Sequence, residues 1–292
     1  MKIGLYARIL KSKTQLDFVA SLLDLLAKRE IEIYLHENLK SLLKLDLVTD
    51  DYKSFNDFDL KAEDIDYLLS LGGDGTMLDT IIMVRDTAIP VLGVNMGRFG
   101  FLASSQQENI EQTIIELEQK SYSIDQRTVL MLESDGNLFS KFPYALNDFV
   151  IHKKDSSSMI TVHTYLNGVF LNSYWADGLI CSTPTGSSGY SLSCGGPLLF
   201  PGSSSLVITP IAPHNLNVRP AVISDDHIVS FEIEGRANSF LVSLDSRSIT
   251  VPKGAQLAIK KAPFLFYMIR LSDESFMDTI RKKLMWGIDN RN

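Results

Sequence analysis

The sequence predicts an α/β N-terminal domain followed by an all-β C-terminal domain of packed antiparallel strands. Three observations support this prediction. The chain has 292 residues, more than a single hydrophobic core usually organises. In its first hundred residues, short apolar runs typical of strands alternate with segments of helical spacing. Beyond them, short β-branched runs separated by Gly, Asn, Asp and Ser predominate, as is typical of antiparallel sheets.

The N-terminal elements follow a strand-helix order. Lys2–Tyr6 is an apolar run that suits a buried strand, and Thr14–Arg29 repeats leucines at helical spacing. The later elements are strands at Ile31–Leu35, Asp66–Leu71 and Pro90–Asn95, with a helix at Met77–Arg85. The polar, weakly periodic segment Leu43–Lys61 is predicted to be a surface loop. Together these elements indicate a Rossmann-like parallel sheet.

A change of composition near residue 105 marks the predicted domain boundary. A helix is predicted at Glu108–Lys120, and the following β region continues to Lys260. Within it, Asn167-Gly168 predicts a hairpin, because this pair supplies the positive φ angles of a type I′ turn. A helix is predicted again at Ser275–Trp286. We therefore expect an α/β domain at 1–104, joined by 268–292, and a β-rich substrate-binding domain at 105–267.

Charge and composition exclude several classes of partner. A net charge of −7 argues against nucleic acid, whose binding needs a concentrated positive surface. No segment approaches eighteen consecutive apolar residues, so we expect no membrane partner. Cys181 and Cys194 lack CxxC spacing, which favours free thiols in a reducing compartment, and we expect a cytoplasmic location.

The motif GGDGT follows a buried strand and precedes a helix. Its glycines, Gly72, Gly73 and Gly75, allow the backbone to approach a phosphate, and Thr76 opens the helix. Asp74 would repel bound phosphates unless it acts through a metal ion or accepts a proton from an attacking hydroxyl. The alternative is an ordinary tight turn in which Asp74 or Thr76 caps the helix.

The second motif, NMGRFGFL at residues 95–102, stands where open α/β sheets place ligand crevices. Asn95 ends the strand and is a candidate for phosphate binding. The alternative is a glycine turn with Phe99 and Phe101 in the core and Arg98 in solvent.

Two polar motifs follow in the β region. Asn147-Asp148 could hydrogen-bond the two hydroxyls of a ribose, although the same pair is common in turns. Asp177 precedes a run of small donors at residues 182–193, and this run favours a ligand-lining loop over a flexible linker. The sequence contains no GxGxxG, Walker A, HExxH or GxSxG motif. These absences argue against a Rossmann dinucleotide fingerprint, a P-loop, a metalloprotease and a serine hydrolase.

These motifs, in this order, resemble the NAD kinase family, and DGLICSTPTGSSGYSLSCGGP from residue 177 is the most specific part. The resemblance implies phosphorylation of the 2′-hydroxyl of the adenosine ribose of NAD by ATP or another phosphoryl donor, with a divalent cation, Mg²⁺, and a homodimer or homotetramer. It implies Asp74 as the proton acceptor. The NAD-binding residues that it implies are Asp74, Gly75, Asn147, Asp148, Trp175, Asp177, Ser188, Gly189, Tyr190, Ser191, Leu192, Ser193 and Arg247.

Two alternatives stay open on the sequence. Lipid kinases share the glycine-rich signature, although the polar run at 183–193 speaks against an apolar substrate. A non-catalytic NADP sensor could keep the binding residues, but a carboxylate at Asp74 would disfavour simple binding of phosphates. Trp175 and Gly189 depart from the family pattern and leave the preference between NAD and NADH open.

Overall fold

The computed structural model describes residues 1–43, 52–97, 100–103, 105–136, 138–139, 141–154, 158–271 and 275–286. The chain forms two compact units: the first contains Met1–Asp125 and Tyr267–Asn292, and the second contains Gln126–Phe266. The sequence predicts a boundary after residue 104 instead. The structure places it later because the helix at Ile110–Gln119 packs into the apolar core of the parallel sheet.

The first unit is built on a parallel sheet. Its strands are β1 (Lys2–Tyr6), β2 (Glu32–His36), β3 (Lys53–Phe55), β4 (Tyr67–Gly72), β5 (Val91–Asn95) and β6 (Ser105–Gln106). The spatial order is β5-β4-β1-β2-β3, with β6 beside β5. Because the chain order reverses between β1 and β4, the carboxyl ends of these two strands flank a crevice where such folds bind ligands.

Helices connect and flank these strands. They are α1 (Lys13–Lys28), α2 (Glu37–Leu42), α3 (Asp74–Val84), α4 (Ile110–Gln119) and α6 (Phe276–Leu284), whereas the short helix α5 (Tyr190–Ser193) belongs to the second unit. Helix α3 begins three residues before the predicted Met77, which makes Asp74 its first residue. The segment predicted as a loop at Leu43–Lys61 contains β3, while residues 44–51 lie outside the described ranges.

The second unit is a sandwich of two antiparallel sheets. It contains β8 (Tyr144–Ala145), β9 (Asp148–Lys153), β10 (Ile160–Leu166), β11 (Val169–Ala176), β12 (Gly178–Ser182), β13 (Ser205–Ile211), β14 (Ala221–Ser224), β15 (Val229–Glu234), β16 (Ser239–Leu244) and β17 (Arg247–Pro252). It also contains most of β7 (Tyr122–Ser134) and of β18 (Leu257–Leu271), although β7 begins and β18 ends in the first unit. One sheet has the order β14-β13-β12-β9-β16-β17, and the other contains β11-β10-β15-β18. Phe149 and Phe231, one from each sheet, stack with ring centroids 5.2 Å apart in the shared core. The predicted fold class is confirmed.

The predicted hairpin at Asn167-Gly168 is also confirmed. It joins β10 to β11, and both turn residues have positive φ, 49° and 80°. None of the helices in the described ranges has the length and apolarity needed to cross a bilayer.

Candidate active site

The glycine-rich motif connects β4 to α3. Gly72 ends β4, and a Cβ added there would lie 2.2 Å from Oγ1 of Thr76, so a side chain does not fit. Gly73 occupies the N-cap position without a side-chain cap bond, so the alternative that Asp74 or Thr76 caps α3 is wrong. Backbone N–H groups at a helix start have no partners within the helix and favour an anion there.

The carboxylate of Asp74 is held by the loop that contains the second motif. Its Oδ2 accepts the N–H of Phe101 at 2.8 Å, and its Oδ1 accepts those of Leu102 at 2.9 Å and Ala103 at 3.2 Å. A carboxylate has about four lone-pair positions. Three are therefore used by the protein, and one on Oδ2 is left for a further donor.

Gly100 allows this close approach. A Cβ added to Gly100 would lie only 1.9 Å from Oδ1 of Asp74. Asn95 is buried at the end of β5, and its Oδ1 accepts the N–H of Gly97 at 2.8 Å. The other two residues considered in this motif, Arg98 and Phe99, lie outside the described residues.

A cavity of about 370 Å³ opens beside the glycine-rich loop, at the carboxyl ends of β1, β4 and β5. Residues that line it include Arg8, Lys11, Gln15, Gly73, Thr76 and Asn95. The cavity thus combines phosphate-binding candidates from the sequence with two basic side chains from the loop after β1. These basic residues carry no recognisable motif, and only the strand order brings them to the glycines.

A paired carboxylate holds Arg8 at the cavity. The guanidinium forms a two-pronged ion pair with Asp79 of α3, and Tyr6 donates its hydroxyl proton to the same carboxylate at 2.9 Å. The hydrogen bonds that Arg8 donates to Asp79 raise the pKa of Arg8, which keeps the guanidinium charged. A Cβ added to Gly75 would lie 3.5 Å from Arg8 Nη1, which places this cation beside the glycine-rich loop.

Gln15 fixes the loop after β1. Its side-chain Oε1 accepts the N–H of Lys11 at 2.7 Å, and its Nε2 donates to the carbonyl of Met96 at 3.0 Å. The same residue also donates its backbone N–H to Ser12, the cap of α1. Gln15 therefore ties the basic loop to the end of β5.

In the second unit, Asn147 and Asp148 stand at the start of β9. The Asn147 carbonyl accepts the Thr183 N–H at 2.9 Å, while its side-chain Oδ1 is buried without a partner among the described residues. Asp148 is 7% exposed, and burial, followed by the neighbouring charge of Asp245, raises its pKa to about 7. Strongly shifted carboxyls of this kind are concentrated at functional sites.

The Ser/Thr run is an ordered loop, so the linker alternative is wrong. It contains a 3₁₀ turn at Gly186–Ser188 and the short helix α5. Ser191 is buried and hydrogen-bonds Thr209 at 2.8 Å. The exposed residues of the predicted set are Tyr190 and Ser193, and the partly buried ones are Ser188, Gly189 and Leu192. Ser191 is therefore held by a hydrogen bond within the protein, whereas the exposed and partly buried residues of the run are accessible to a ligand.

Asp177 has an ionic partner that the sequence did not reveal. The Lys153 ammonium lies 2.6 Å from Asp177 Oδ1, and the two side chains are 17% and 29% exposed. Lys153 ends β9, and its backbone N–H also donates to the Asp177 carbonyl at 2.9 Å. Asp148 and Asp177 both act electrostatically on Tyr190, so these three side chains lie in one neighbourhood.

The two remaining candidates have different surroundings. Trp175 is 44% exposed on β11, and its ring packs on His214 with centroids 4.3 Å apart. The Arg247 guanidinium donates to the carbonyls of Phe142 and Tyr144 and lies over the Phe142 ring. Arg247 therefore supports the segment before β9 in this structure.

We expect Lys153→Met to raise KM for the dinucleotide that the resemblance implies roughly tenfold, the effect of losing one charge-assisted hydrogen bond. Without its ammonium partner, the Asp177 carboxylate loses its orientation toward the predicted substrate. Turnover at saturating substrate should change little, because the Lys153-Asp177 pair is expected to act in substrate binding. Initial rates over a range of NAD concentrations measure both quantities.

Lys260→Met is the matched control, since Lys260 forms an ion pair with Glu133 in the same unit at 2.5 Å. This variant should keep the wild-type KM. Equal KM values for Lys153→Met and the wild type would show that the Lys153-Asp177 pair has no part in substrate binding.

Comparison with known families gives two matches. The model of the ATP-NAD kinase N-terminal domain matches residues 4–122, and that of the ATP-NAD kinase C-terminal domain matches residues 146–271. The NAD kinase of Cytophaga hutchinsonii is 45% identical over 295 residues and is covered completely, as is this chain. The NAD kinase of Bacteroides fragilis is 43% identical, also over the full length of both.

Solved structures share the fold. Yeast NADH kinase complexed with NADH superposes with a TM-score of 0.83 at 21% identity, covering 99% of this chain and 88% of the other. An NAD kinase from Archaeoglobus fulgidus in complex with ATP gives a TM-score of 0.71 at 21% identity, covering 98% of each chain.

Proposed function

The chain belongs to the NAD kinase family, and we propose that it transfers the terminal phosphoryl group of ATP to the 2′-hydroxyl on the adenosine ribose of NAD. As a member of this family it is a kinase. Phosphoryl transfer needs in-line positioning of the reactants and neutralisation of charge more than covalent chemistry by the protein. The observation that carries the proposal is the placement of Asp74 between the glycine-rich loop and the loop that follows β5.

The cavity beside the glycine-rich loop suits the phosphates of the donor. Glycine backbone, the start of α3 and the side chains of Arg8 and Lys11 all present positive charge or N–H donors to it. Gly72, Gly73, Gly75, Thr76 and Asn95 keep their proposed role in binding these phosphates.

Asp74 is proposed to receive the proton of the 2′-hydroxyl at the unused lone pair of Oδ2. Three N–H donors hold the carboxylate in place and leave this lone pair for the substrate. The first effect of Asp74 is therefore to orient the hydroxyl by accepting its hydrogen bond. The proton follows as the attacking oxygen bonds to phosphorus and becomes more acidic.

The second unit is proposed to bind NAD. Asn147 and Asp148 hold ribose hydroxyls, an assignment that the unpartnered Asn147 Oδ1 and the buried Asp148 carboxyl support. Asp177, with Gly189, Tyr190 and the rest of the 188–193 segment, lines the nucleoside, and Ser191 contributes through the loop that it stabilises. Trp175 and Arg247 keep their proposed NAD contacts, Trp175 with the stronger support because of its exposure.

A divalent cation fits this donor site when it is held mainly by the triphosphate. Mg²⁺ keeps several waters and takes one or two carboxylates along with substrate phosphates. Asp79 is engaged by Arg8, and no group of three or more potential ligands occurs within the described part of the chain. Mg²⁺ would supply neutralisation of the phosphate charge, and the chain would position the oxygens around it.

The lipid-kinase alternative is not retained, since relatives named NAD kinase match along the full chain. We further propose a cytoplasmic homodimer or homotetramer. The free thiols of Cys181 and Cys194 support the location, and exposed Val169 and Phe170 on the edge strand β11 support self-association.

Purified protein incubated with NAD, ATP and Mg²⁺ tests the proposed function, with NADP detected by an NADP-specific dehydrogenase. NADP should form in proportion to enzyme and time. NAD that binds without any turnover would instead favour the NADP-sensor alternative, and parallel assays with NADH give the acceptor preference.

Arg8→Gln should raise KM for ATP roughly tenfold, the effect of losing one charge-assisted hydrogen bond to phosphate, and leave KM for NAD unchanged. Two-substrate initial-rate kinetics separate the two constants. Arg29→Gln is the control, because Arg29 is also an arginine in an ion pair, with Glu118, but lies at the C-terminal end of α1. A variant in which only KM for NAD changed would contradict this assignment of the cavity.

A further inference from the structure

We propose that Asp245 is a positioning residue of the ribose site: it fixes the backbone of Asn147-Asp148 and sets a negative charge beside Asp148, so that NAD binding weakens as the pH falls. The inference rests on the proposed function of the Asn147-Asp148 pair. It extends that function to a residue outside the motifs and to the response of binding to pH.

The geometry of Asp245 is that of a backbone clamp. Its Oδ2 accepts the N–H of Leu146 at 2.9 Å, and its Oδ1 accepts the N–H groups of Asn147 at 2.7 Å and Asp148 at 3.2 Å. Its own N–H donates to the Asp148 carbonyl at 3.0 Å. Four hydrogen bonds from one residue therefore fix three consecutive residues.

The position of Asp245 in the hairpin between β16 and β17 makes this clamp possible. Its φ of 51° lies in the left-handed region, which non-glycine residues seldom adopt, although Asp tolerates it better than most. From the other side, Thr183 donates its hydroxyl proton to the Leu146 carbonyl at 2.6 Å and its N–H to the Asn147 carbonyl. The ribose-binding pair is thus held between two elements.

The two carboxyls differ in their partners. Asp245 is partly buried, and desolvation raises its pKa, although three N–H donors and Arg247 reduce that rise. Asp148 is buried and is also repelled by Asp245, and these two effects together raise its pKa to about 7. The three N–H bonds that Asp245 accepts therefore favour the charge on Asp245, and Asp148 is the carboxyl whose pKa lies near neutral pH.

Two further titratable groups lie close enough to feel the charge of Asp148, and both stay neutral in this range. Burial raises the pKa of the Cys181 thiol on β12 and that of the Tyr190 phenol on α5, and the charge of Asp148 adds to both shifts. With its pKa raised to about 7, Asp148 should lose its proton progressively as the pH rises through neutrality. The ionised form accepts two hydroxyl protons in charge-assisted bonds, so affinity for NAD should rise with pH.

Binding of NAD without ATP, measured by calorimetry from pH 5.5 to 8.5, tests the proposal on three variants and the wild type. Wild-type affinity should rise about tenfold with a midpoint near pH 7. Asp245→Asn removes the like charge but keeps Oδ1 as an acceptor, so the midpoint should move down by about one pH unit. In Asp148→Asn the pH dependence should vanish.

Asp225→Asn is the matched control, because Asp225 is a buried carboxylate of the same unit paired with Lys261 at 2.7 Å. It should keep the wild-type midpoint. A folded Asp245→Asn protein with the wild-type midpoint, or wild-type affinity that is flat or rises as the pH falls, would overturn the proposal. The NADP assay separates this failure from failure of the proposed function, since turnover would persist.

If Asp245→Asn does not fold, carbon NMR of the aspartate carboxyls in the wild-type protein tests the proposal instead. The resonance absent from Asp148→Asn should titrate near pH 7, and saturating NAD should move its midpoint down. An ordinary aspartate titration for that resonance would overturn the proposal.

Discussion

Asp74→Asn is expected to lower kcat by about 10²- to 10⁴-fold, the usual contribution of a positioned acid or base. The amide oxygen can still accept the N–H groups of Leu102 and Ala103, which both reach Oδ1 in the wild type. The amide nitrogen, in place of Oδ2, can accept neither the N–H of Phe101 nor the 2′-hydroxyl proton. Initial rates at saturating NAD and ATP measure the loss.

Asp64→Asn controls for the loss of a carboxylate that accepts a backbone N–H. Asp64 accepts the N–H of Lys61 at 2.8 Å in the turn before β4, away from the glycine-rich loop. Its variant should turn over like the wild type. An Asp74→Asn protein with a wild-type melting temperature and near wild-type kcat would remove Asp74 from the chemistry.

Gly100→Ala should also reduce kcat, by about 10²-fold, because a displacement of catalytic groups by about 1 Å has effects of this size. The new methyl group would lie 1.9 Å from Oδ1 and 2.6 Å from Cγ of Asp74, so the carboxylate or the loop must move. KM for each substrate should change less than kcat. Steady-state kinetics together with a thermal melt separate this local effect from unfolding.

Gly97→Ala provides the comparison within the same loop. A Cβ added to Gly97 meets no atom of the described residues within 4 Å, and the N–H that bonds Asn95 is kept. This variant should retain most of its activity. Equal activity of the Gly97 and Gly100 variants would show that the contact between Gly100 and Asp74 does not govern turnover.

The sequence predicts those parts of the fold and site that depend on local pattern. Alternation of apolar runs and helical spacing is a local property, and it located β1, β4 and β5 to within one or two residues. The glycines of GGDGT can be recognised in the sequence, and the structure shows why one of them is needed, since Gly72 leaves no room for a side chain. Asn167-Gly168 likewise encodes its turn directly.

Other features depend on contacts between distant parts of the chain. Arg8 reaches the cavity only because β1 and β4 are neighbours in the sheet. Asp245 is 98 residues from Asn147 in sequence, and nothing in its hairpin indicates which backbone it binds. Lys153 and Asp177 meet because β9 and β12 pair, a register that composition does not specify.

The position of phosphoryl transfer is the most direct test of the proposed activity. Purified protein is incubated with NAD, Mg²⁺ and ATP labelled in its terminal phosphoryl group, and the product is analysed by phosphorus NMR and mass spectrometry. We expect one labelled phosphate monoester on the 2′-oxygen of the adenosine ribose. A labelled phosphate on another hydroxyl, or no labelled dinucleotide over a wide range of substrate concentrations, would contradict the proposed reaction.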